Sequence, residues 1–410
     1  MANRPQPLDS KVLTISDLKA EADKKLPRTI SEYFNHGADD MTTLHDNEAA
    51  YTRYKLRPRI LRNVGAIDTS TTIFGVKASI ASATPIPLGF APCAAQKLAH
   101  ADGENGVSRA AARHGLAMCL SSWANTELGE VAAQSERGER EHGEQSAHGG
   151  GGGGNPYVMQ VSLLNDKRSA RRILRRAEAA GYKAAFLTVD LPVLGNRLNE
   201  ARNGFEMPRE LGFPNLEARA GEDEEEEEEG VPAVENGAGY GEGVSVVGCL
   251  CETDGWLDQT IEWETVVPWL REQTSMEIWL KGVYTPEDVL LAIRHKLDGV
   301  VISNHGGRQL DGVPATLDAL RECAPVAKGK IGIAVDGGIR RGSDIFKALA
   351  LGADYCFVGR YNGEAGVDLA IKILMREFKA TMALTGCKSV DEICRSHLSI
   401  LKPDGVLAKL

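Results

Sequence analysis

The feature that most constrains the fold is an eightfold repeat, starting at residue 86, of a short apolar run followed by a helical segment. Each run has the length and apolar content of a buried strand. Because consecutive parallel strands need crossover helices, the repeat predicts an α/β fold, a closed (β/α)8 TIM barrel. The eight runs are Ile86–Ala91, Leu116–Leu120, Tyr157–Val161, Ala184–Val189, Glu277–Leu280, Gly299–Ile302, Ile331–Val335 and Tyr355–Val358. The helical segments include Gly103–Arg113, Arg168–Ala180, Pro286–His295 and Ser343–Ala350.

An open, doubly wound sheet is the structural alternative, but the first run lacks the Gly-x-Gly-x-x-Gly turn of that fold. Before the barrel, residues 11–40 have helical character, and a small hairpin is predicted over Thr71–Ala78. We therefore predict a single domain over residues 1–410, with the barrel at about 86–397 and a C-terminal tail at 398–410.

Two insertions interrupt the repeat, at about 136–155 and 200–245. The first contains six consecutive glycines, and the second contains eight consecutive acidic residues, Glu222–Glu229. Such segments bury little apolar surface, so both are predicted to be flexible. The second follows the fourth strand, so part of it could act as a lid, although a disordered linker is favoured for the acidic tract.

Charge and cysteine usage exclude several classes of protein. The formal net charge is −10, and the acidic tract accounts for all but −2 of it, so no basic surface for nucleic acid is indicated. Cys249 and Cys251 lack zinc-ligand spacing, and no metal site is predicted. Neither a signal peptide nor an 18-residue apolar stretch is visible, so no membrane partner is expected. The terminal Ala408-Lys409-Leu410 is similar to the peroxisomal Ser-Lys-Leu address, which predicts a peroxisomal location with the cytoplasm as the alternative.

Polar residues follow the strands at the end where barrel enzymes carry their chemistry. His305 and Arg308 leave the sixth strand together, separated by two glycines that would let a flat ligand approach the backbone. A histidine titrates near neutrality and can accept a proton, and the planar fork of an arginine matches a carboxylate. The other polar strand ends are Pro92-Cys93-Ala94, Ser121, Gln160, Thr188 with Asp190, Lys281, Asp336-Gly337-Gly338 and Gly359-Arg360.

Two of these strand ends indicate specific ligands. Asp336–Arg340 and Gly359-Arg360 follow strands seven and eight, where glycine amides and guanidinium groups would bind a phosphate. Lys281 would place positive charge beside a cofactor ring that becomes anionic on reduction. A Schiff-base role for Lys281 is the competing interpretation.

The stretch Ser303–Asp311 resembles the active-site signature of the FMN-dependent (S)-2-hydroxy-acid oxidases and dehydrogenases, the glycolate oxidase and lactate oxidase group. The resemblance runs from about Leu26 to His397. It implies the TIM barrel, the cofactor FMN and a homotetramer. It also includes Leu26-Pro27, Ala91-Pro92, Leu120–Ala124, Leu187–Asp190, Leu280–Val283 and Val335–Gly342.

The resemblance also implies roles for individual residues. His305 would be the base, Asp190 would stabilise the resulting imidazolium, and Arg308 would bind the substrate carboxylate. Tyr33 and Arg197 would be further substrate contacts, and Lys281 would stabilise the reduced flavin. The remaining flavin contacts would be Pro92, Cys93, Ala94, Ser121, Gln160 and Thr188, followed by the ribityl and phosphate contacts Asp336, Gly337, Gly338, Arg340, Gly359 and Arg360. Tyr33, Trp123, Ser162 and the segment near residue 200 would line the end of the pocket that receives the substrate side chain.

Three features depart from the family pattern. Ser162 occupies a position where relatives carry a tyrosine, the segment Tyr361–Gly366 after Arg360 is shorter than in relatives, and both insertions enlarge loops that are normally tighter.

The resemblance predicts an oxidase that converts a small (S)-2-hydroxy acid and oxygen into the 2-oxo acid and hydrogen peroxide. A dehydrogenase with another acceptor, a flavin-binding homologue with impaired turnover, and a Schiff-base enzyme built on Lys281 are the alternatives.

Overall fold

The structure is a computed structural model that describes residues 7–74, 82–140, 155–208, 210–219, 257–360, 363–402 and 405–410. Most of both predicted insertions, the pair Cys249 and Cys251, and part of the predicted hairpin lie outside the described residues. The described strands are β1 (Tyr54–Leu56), β2 (Thr71–Ile73), β3 (Ser82–Thr84), β4 (Leu88–Phe90), β5 (Ala117–Leu120), β6 (Tyr157–Val161), β7 (Ala184–Thr188), β8 (Glu277–Val283), β9 (Gly299–Ile302), β10 (Gly332–Asp336), β11 (Tyr355–Val358), β12 (Leu398–Leu401) and β13 (Leu407–Lys409).

Helices precede the barrel and connect its strands. Several begin at recognisable caps: Thr14 accepts the N–H of Asp17 at 3.1 Å, and Thr285 precedes a proline at the first helical position. The described helices are α1 (Ile15–Asp23), α2 (Arg28–Asn35), α3 (Thr42–Arg53), α4 (Gly103–Arg113), α5 (Leu128–Arg140), α6 (Lys167–Ala179), α7 (Leu198–Asn203), α8 (Trp263–Gln273), α9 (Pro286–Arg294), α10 (Thr316–Ala327), α11 (Gly342–Leu351) and α12 (Glu364–Thr385).

The strands β4 to β11 form a closed parallel barrel in chain order, so the predicted TIM barrel is confirmed. The barrel closes where β11 pairs with β4, with Cys356 opposite Leu88 and Phe357 opposite Gly89. The predicted strand positions agree with the observed ones to within three residues at each end. The largest difference is at β8, which continues to Val283. Lys281 and Gly282, the latter at φ +108°, therefore both lie within the strand.

The barrel interior is filled by side chains that alternate with those facing the helices. Ala117 and Cys119 point inward, whereas Met118 and Leu120 join the core between barrel and helices. The interior is capped by the hairpin β2–β3, which directly precedes β4 and therefore lies at the amino ends of the strands. Phe74 follows β2 and lies edge-on to Trp279, with ring centroids 5.8 Å apart. This packing closes one end of the barrel and leaves the carboxyl ends of the strands for a site.

The predicted C-terminal tail lies outside the barrel, where β12 and β13 form a three-stranded sheet with β1. Within the part of the chain that the structure describes, every helix is too short or too polar to traverse a bilayer.

Candidate active site

A cavity of about 810 Å³ opens at the carboxyl ends of the barrel strands. This volume is typical of small-molecule and cofactor sites. Of the residues that the sequence assigned to the site, all but Asp190 line the cavity: Tyr33, Pro92, Cys93, Ala94, Ser121, Gln160, Thr188, Arg197, Lys281, His305, Arg308, Asp336, Gly337, Gly338, Arg340, Gly359 and Arg360. Asp190 does not line the cavity but contacts the imidazole of His305, which does.

The loop after β9 holds His305 in an unusual backbone conformation, with φ at +58°. Ser303 Oγ accepts the His305 N–H at 3.1 Å, and His305 Nδ1 lies 3.2 Å from Asp190 Oδ1. When the carboxylate accepts the Nδ1 proton, Nε2 carries the lone pair. The pair therefore presents a neutral imidazole that can accept a proton, with a carboxylate placed to stabilise the imidazolium.

The surroundings keep this imidazole neutral. Burial lowers the pKa of His305 and the charge of Lys281 lowers it further, while Asp190 partly opposes both effects. Burial alone would raise the pKa of Asp190, but the interaction with His305, which includes the hydrogen bond from Nδ1, and the positive charge of Lys281 outweigh burial, so the pKa is lowered. An ionised Asp190 beside an unprotonated His305 is the charge state that a general base requires.

The two glycines after His305 have a steric role that the sequence did not reveal. Both have positive φ, +65° at Gly306 and +73° at Gly307. A Cβ on Gly306 would lie 2.7 Å from Arg360 Nη2, and one on Gly307 would lie 2.7 Å from the Leu44 backbone nitrogen. Gly306 does line the cavity, as predicted for a ligand approach, but Gly307 packs against α3.

Lys281 is buried and charged. Its Nζ donates to Ser303 Oγ at 2.9 Å and lies 3.5 Å from Asp336 Oδ2. Burial would lower its pKa, but the nearby carboxylates of Asp336 and Asp190 raise it above its usual value. A Schiff-base nucleophile must be a neutral amine, so this environment disfavours that alternative.

The guanidinium of Arg308 is anchored by backbone and side-chain acceptors. Nη1 donates to the carbonyls of Tyr33 at 2.7 Å and His36 at 3.1 Å, and Nη2 donates to Glu200 Oε1 at 3.1 Å. The group also lies over the Tyr33 ring, 5.1 Å from its centroid. Since a guanidinium has five N–H donors, two remain for a ligand carboxylate.

Arg197 adds a second buried guanidinium to the same wall. Its Nη1 lies 4.0 Å from Glu200 Oε2, and its buried Nε has no hydrogen-bond partner. Burial and the neighbouring Arg308 lower its pKa to about 10. Glu200, which the sequence did not single out, is therefore the carboxylate between two arginines. Its spacing of three residues from Arg197 on a helical turn is the one local signal that could have found it.

Gln160 organises the polar groups at the ends of β5, β6 and β7. Its Oε1 accepts the Ser122 N–H at 3.1 Å, and its Nε2 donates to Thr188 Oγ1 at 2.9 Å and Ser162 Oγ at 3.0 Å. Ser121 Oγ donates to the same Oε1 at 3.3 Å. This network fixes the orientation of the Gln160 amide beside the cavity.

The segment after β4 contributes backbone and a thiol. Ala91 N–H donates to the Val358 carbonyl at 2.7 Å, and the Cys93 carbonyl accepts Gln96 Nε2 at 3.3 Å. Burial raises the pKa of Cys93 to about 11, so this group is a neutral thiol at physiological pH.

The loops after β10 and β11 form a basic end of the cavity. Gly338 has φ +74°, and a Cβ there would lie 1.9 Å from the Asn47 carbonyl oxygen. Arg360 lies beside the His305 loop, and burial together with Arg308 lowers its pKa to about 10. Arg340 also lines this end, although its Nη2 is paired with Glu48 at 2.9 Å.

The N-terminus of α12 completes this end, which the sequence did not predict. Gly363, Ala365 and Gly366 line the cavity at the first turn of this 22-residue helix. A helix N-terminus with two guanidinium groups suits a phosphate. The residues Tyr361 and Asn362 of the shortened segment lie outside the described range.

The donor and acceptor pattern of the cavity fits FMN. Asp336 Oδ1 is buried without a hydrogen-bond partner, so it can accept a ribityl hydroxyl. Gln160 presents an oriented amide to a polar ring edge, Lys281 presents a cation, and the basic end suits the phosphate. Among the described side chains, no group of three histidine, cysteine, aspartate or glutamate residues is arranged to bind a metal ion.

Comparisons with known proteins agree with this fit. The model of the FMN-dependent dehydrogenase family matches residues 22–400. The chain is 45% identical to Oxidase FUB9 of Fusarium oxysporum f. sp. lycopersici over 403 residues, covering 97% of this chain and 93% of that protein. It is 39% identical to glycolate oxidase of Spinacia oleracea, covering 95% and 96%, and 38% identical to human 2-hydroxyacid oxidase 1, covering 93% and 95%.

A solved structure of mandelate oxidase with (S)-4-hydroxymandelic acid superimposes with a TM-score of 0.78 at 30% identity. The match covers 94% of this chain and 99% of that one.

Proposed function

The chain belongs to the FMN-dependent dehydrogenase family, and from this membership we propose that it oxidises an (S)-2-hydroxy acid to the 2-oxo acid. Oxygen is the electron acceptor in this proposal, and hydrogen peroxide is the second product. The overall reaction is balanced, because the two electrons and two protons that the hydroxy acid loses convert one oxygen molecule into one peroxide molecule.

One observation carries the proposal: a base, an acid-binding pair and a buried cation face the same cavity. His305, Arg308, Arg197 and Lys281 all line it, although they come from three separate parts of the chain. The two guanidinium groups share the single carboxylate of Glu200, so this wall has one positive charge that a substrate carboxylate would neutralise.

Each residue then has a stated task. Arg308 and Arg197 bind and orient the carboxylate, which places the α-carbon and its hydroxyl near His305. His305 Nε2 accepts the proton that the substrate releases, and Asp190 stabilises the resulting imidazolium. When bound, FMN would supply the two-electron redox chemistry that the reaction needs. Lys281, which lines the cavity, would supply the positive charge that stabilises the reduced cofactor.

The test uses the purified, flavin-loaded protein. Adding glycolate, lactate or a longer (S)-2-hydroxy acid without oxygen should bleach the flavin absorbance, and admitting oxygen should restore it with one peroxide formed per acid oxidised. Turnover with a dye acceptor but without oxygen uptake would replace the oxidase by a dehydrogenase. Failure to bleach with every acid would leave a flavin-binding protein without this activity.

The proposal includes a peroxisomal location and a homotetramer. Ala408-Lys409-Leu410 supports the location, and β13 holds Ala408 and Lys409 in a short edge pairing with β12 that a receptor would have to open. Deleting Leu410 from a fluorescently tagged full chain should move it from peroxisomes to the cytoplasm. Light scattering of the purified protein tests the tetramer.

A further inference from the structure

One wall of the cavity is apolar. Its residues come from three neighbouring parts of the barrel mouth: Trp123 after β5, Leu164 after β6, and Leu191 and Leu194 after β7, with Phe213 and Leu257 from the connection that follows. The polar residues at the strand ends are assigned to binding the flavin or the carboxylate of the substrate. The apolar wall has no part in the proton transfer or carboxylate binding described above.

Two contacts join members of this wall in pairs. Leu257 pairs with Leu164 in an isolated antiparallel bridge, which brings the end of the long β7–α8 connection against the end of β6. Trp123 and Phe213 pack edge-to-face with ring centroids 5.2 Å apart. Leu164 is almost fully buried, whereas the two rings and Leu257 are partly exposed towards the cavity.

Ser162 also lines the cavity, two residues before Leu164. Its side chain is small and its hydroxyl oxygen accepts Gln160 Nε2 at 3.0 Å, so the polar atom is held towards Gln160. This small side chain, turned towards Gln160, therefore takes up little of the cavity, whose lining also includes the leucines and aromatic rings of the wall.

The position of the wall relative to the acid-binding groups determines what it would contact. Leu191 and Leu194 lie on the six-residue stretch between Asp190, which holds the base, and Arg197, which faces the carboxylate. A substrate whose carboxylate lies at Arg197 and Arg308 and whose α-carbon lies near His305 would direct its third substituent towards these leucines.

We propose that this wall receives an apolar substrate side chain, so that the protein prefers 2-hydroxy acids with an aliphatic chain or an aromatic ring over glycolate and lactate. This inference rests on the proposed oxidation of 2-hydroxy acids and specifies the substrate class of the same site. The physical basis is the removal of the side chain from water, which favours each buried methylene by about 0.8 kcal/mol, or about fourfold.

The first test compares straight-chain acids on the flavin-loaded protein. The second-order rate constant for anaerobic flavin bleaching should rise about fourfold per methylene, or roughly 60-fold from lactate to (S)-2-hydroxyhexanoate. A ratio of one or below, with lactate still bleaching the flavin, would overturn the apolar side-chain site and leave the proposed function intact. Absence of bleaching by every acid would instead refute the proposed function.

The second test locates the effect. Leu194→Asn and, separately, Leu191→Asn should each lower the hexanoate-to-lactate ratio within the same variant by about tenfold or more, because a buried amide is placed against the chain. Leu384→Asn is the matched control, since Leu384 is 77% exposed on α12 and does not line the cavity. Equal ratios in the wild type, both wall variants and the control would overturn the assignment.

A binding measurement separates recognition from chemistry. Acetate, butanoate and hexanoate lack the hydroxyl group and cannot be oxidised at the α-carbon, so their affinity is read from the change in flavin absorbance on titration. Affinity should increase with chain length in the wild type and increase less in Leu194→Asn. Length-independent binding in the wild type would show that the wall does not contact the side chain.

Discussion

Replacing Asp190 by asparagine tests whether its carboxylate stabilises the protonated form of the assigned base, His305. The substitution keeps the shape of the side chain and an oxygen that can accept the His305 Nδ1 proton, but removes the charge 3.2 Å away. Unit charges about 4 Å apart attract by about 4 kcal/mol at an effective dielectric constant of 20. Since 1.36 kcal/mol corresponds to a factor of ten, the loss of imidazolium stabilisation should slow proton transfer by about 10²–10³-fold.

The assay is stopped-flow flavin bleaching without oxygen, at saturating 2-hydroxy acid and over a range of pH. Asp190 opposes the lowering of the His305 pKa, so its removal should lower that pKa further. The acid limb of the profile should therefore move to lower pH while the plateau falls. A purely structural defect would lower the plateau without moving the limb.

Flavin content and thermal unfolding of the variant serve as the controls for folding. Asp354→Asn is the matched substitution, because Asp354 accepts the Ile333 N–H at 2.9 Å and does not line the cavity. That variant should retain the wild-type profile. Flavin reduction by Asp190→Asn within threefold of wild type, with an unmoved acid limb, would refute the pairing of this carboxylate with the catalytic base.

Four further results are expected. His305→Gln should bind flavin but reduce it about 10²–10⁴-fold more slowly, and near-normal bleaching would show that the base is another group. Arg308→Lys should raise KM more than it lowers kcat, because a lysine lacks the bidentate fork; titration with non-oxidisable acids checks this. Glu200→Gln should lower the free energy of unfolding, measured in urea, by about 3 kcal/mol, since it leaves two buried guanidinium groups without their shared carboxylate. An unchanged free energy of unfolding would contradict the ion pairs of Glu200 with Arg197 and Arg308. The wild-type kcat/KM should fall on acidification with a midpoint below 6.5, the usual pKa of histidine, because burial and Lys281 lower the pKa of His305; a midpoint above that value would contradict the environment described.

The sequence was most informative where local pattern and chain order suffice. Strand runs such as Tyr157–Val161 and Gly299–Ile302, and the helix Gly103–Arg113, were predicted with the bounds that the structure gives them. Runs of apolar residues separated by helical segments leave few topologies, because parallel strands must be connected by right-handed crossovers. Once the barrel is predicted, its strand ends converge, which is why Lys281, His305 and Asp336 were assigned to one mouth.

The same local pattern failed where tertiary contacts set a boundary or a role. It ended the fifth barrel strand at Leu280, whereas pairing with β7 and β9 extends that strand to Val283. It explained Gly307 by ligand approach, whereas the contact with α3 excludes a side chain there.

By itself, the sequence determined the order of strands and helices and the identity of the chemical groups at the barrel mouth. Only the tertiary structure decided that Glu200 joins Arg308 across 108 residues and that Leu164 meets Leu257 in an apolar wall. The physical reason is that backbone periodicity reports which face of an element is buried. Periodicity does not predict the conformation of a loop or which distant side chains that loop brings into contact. Those contacts depend on the packing of the whole chain.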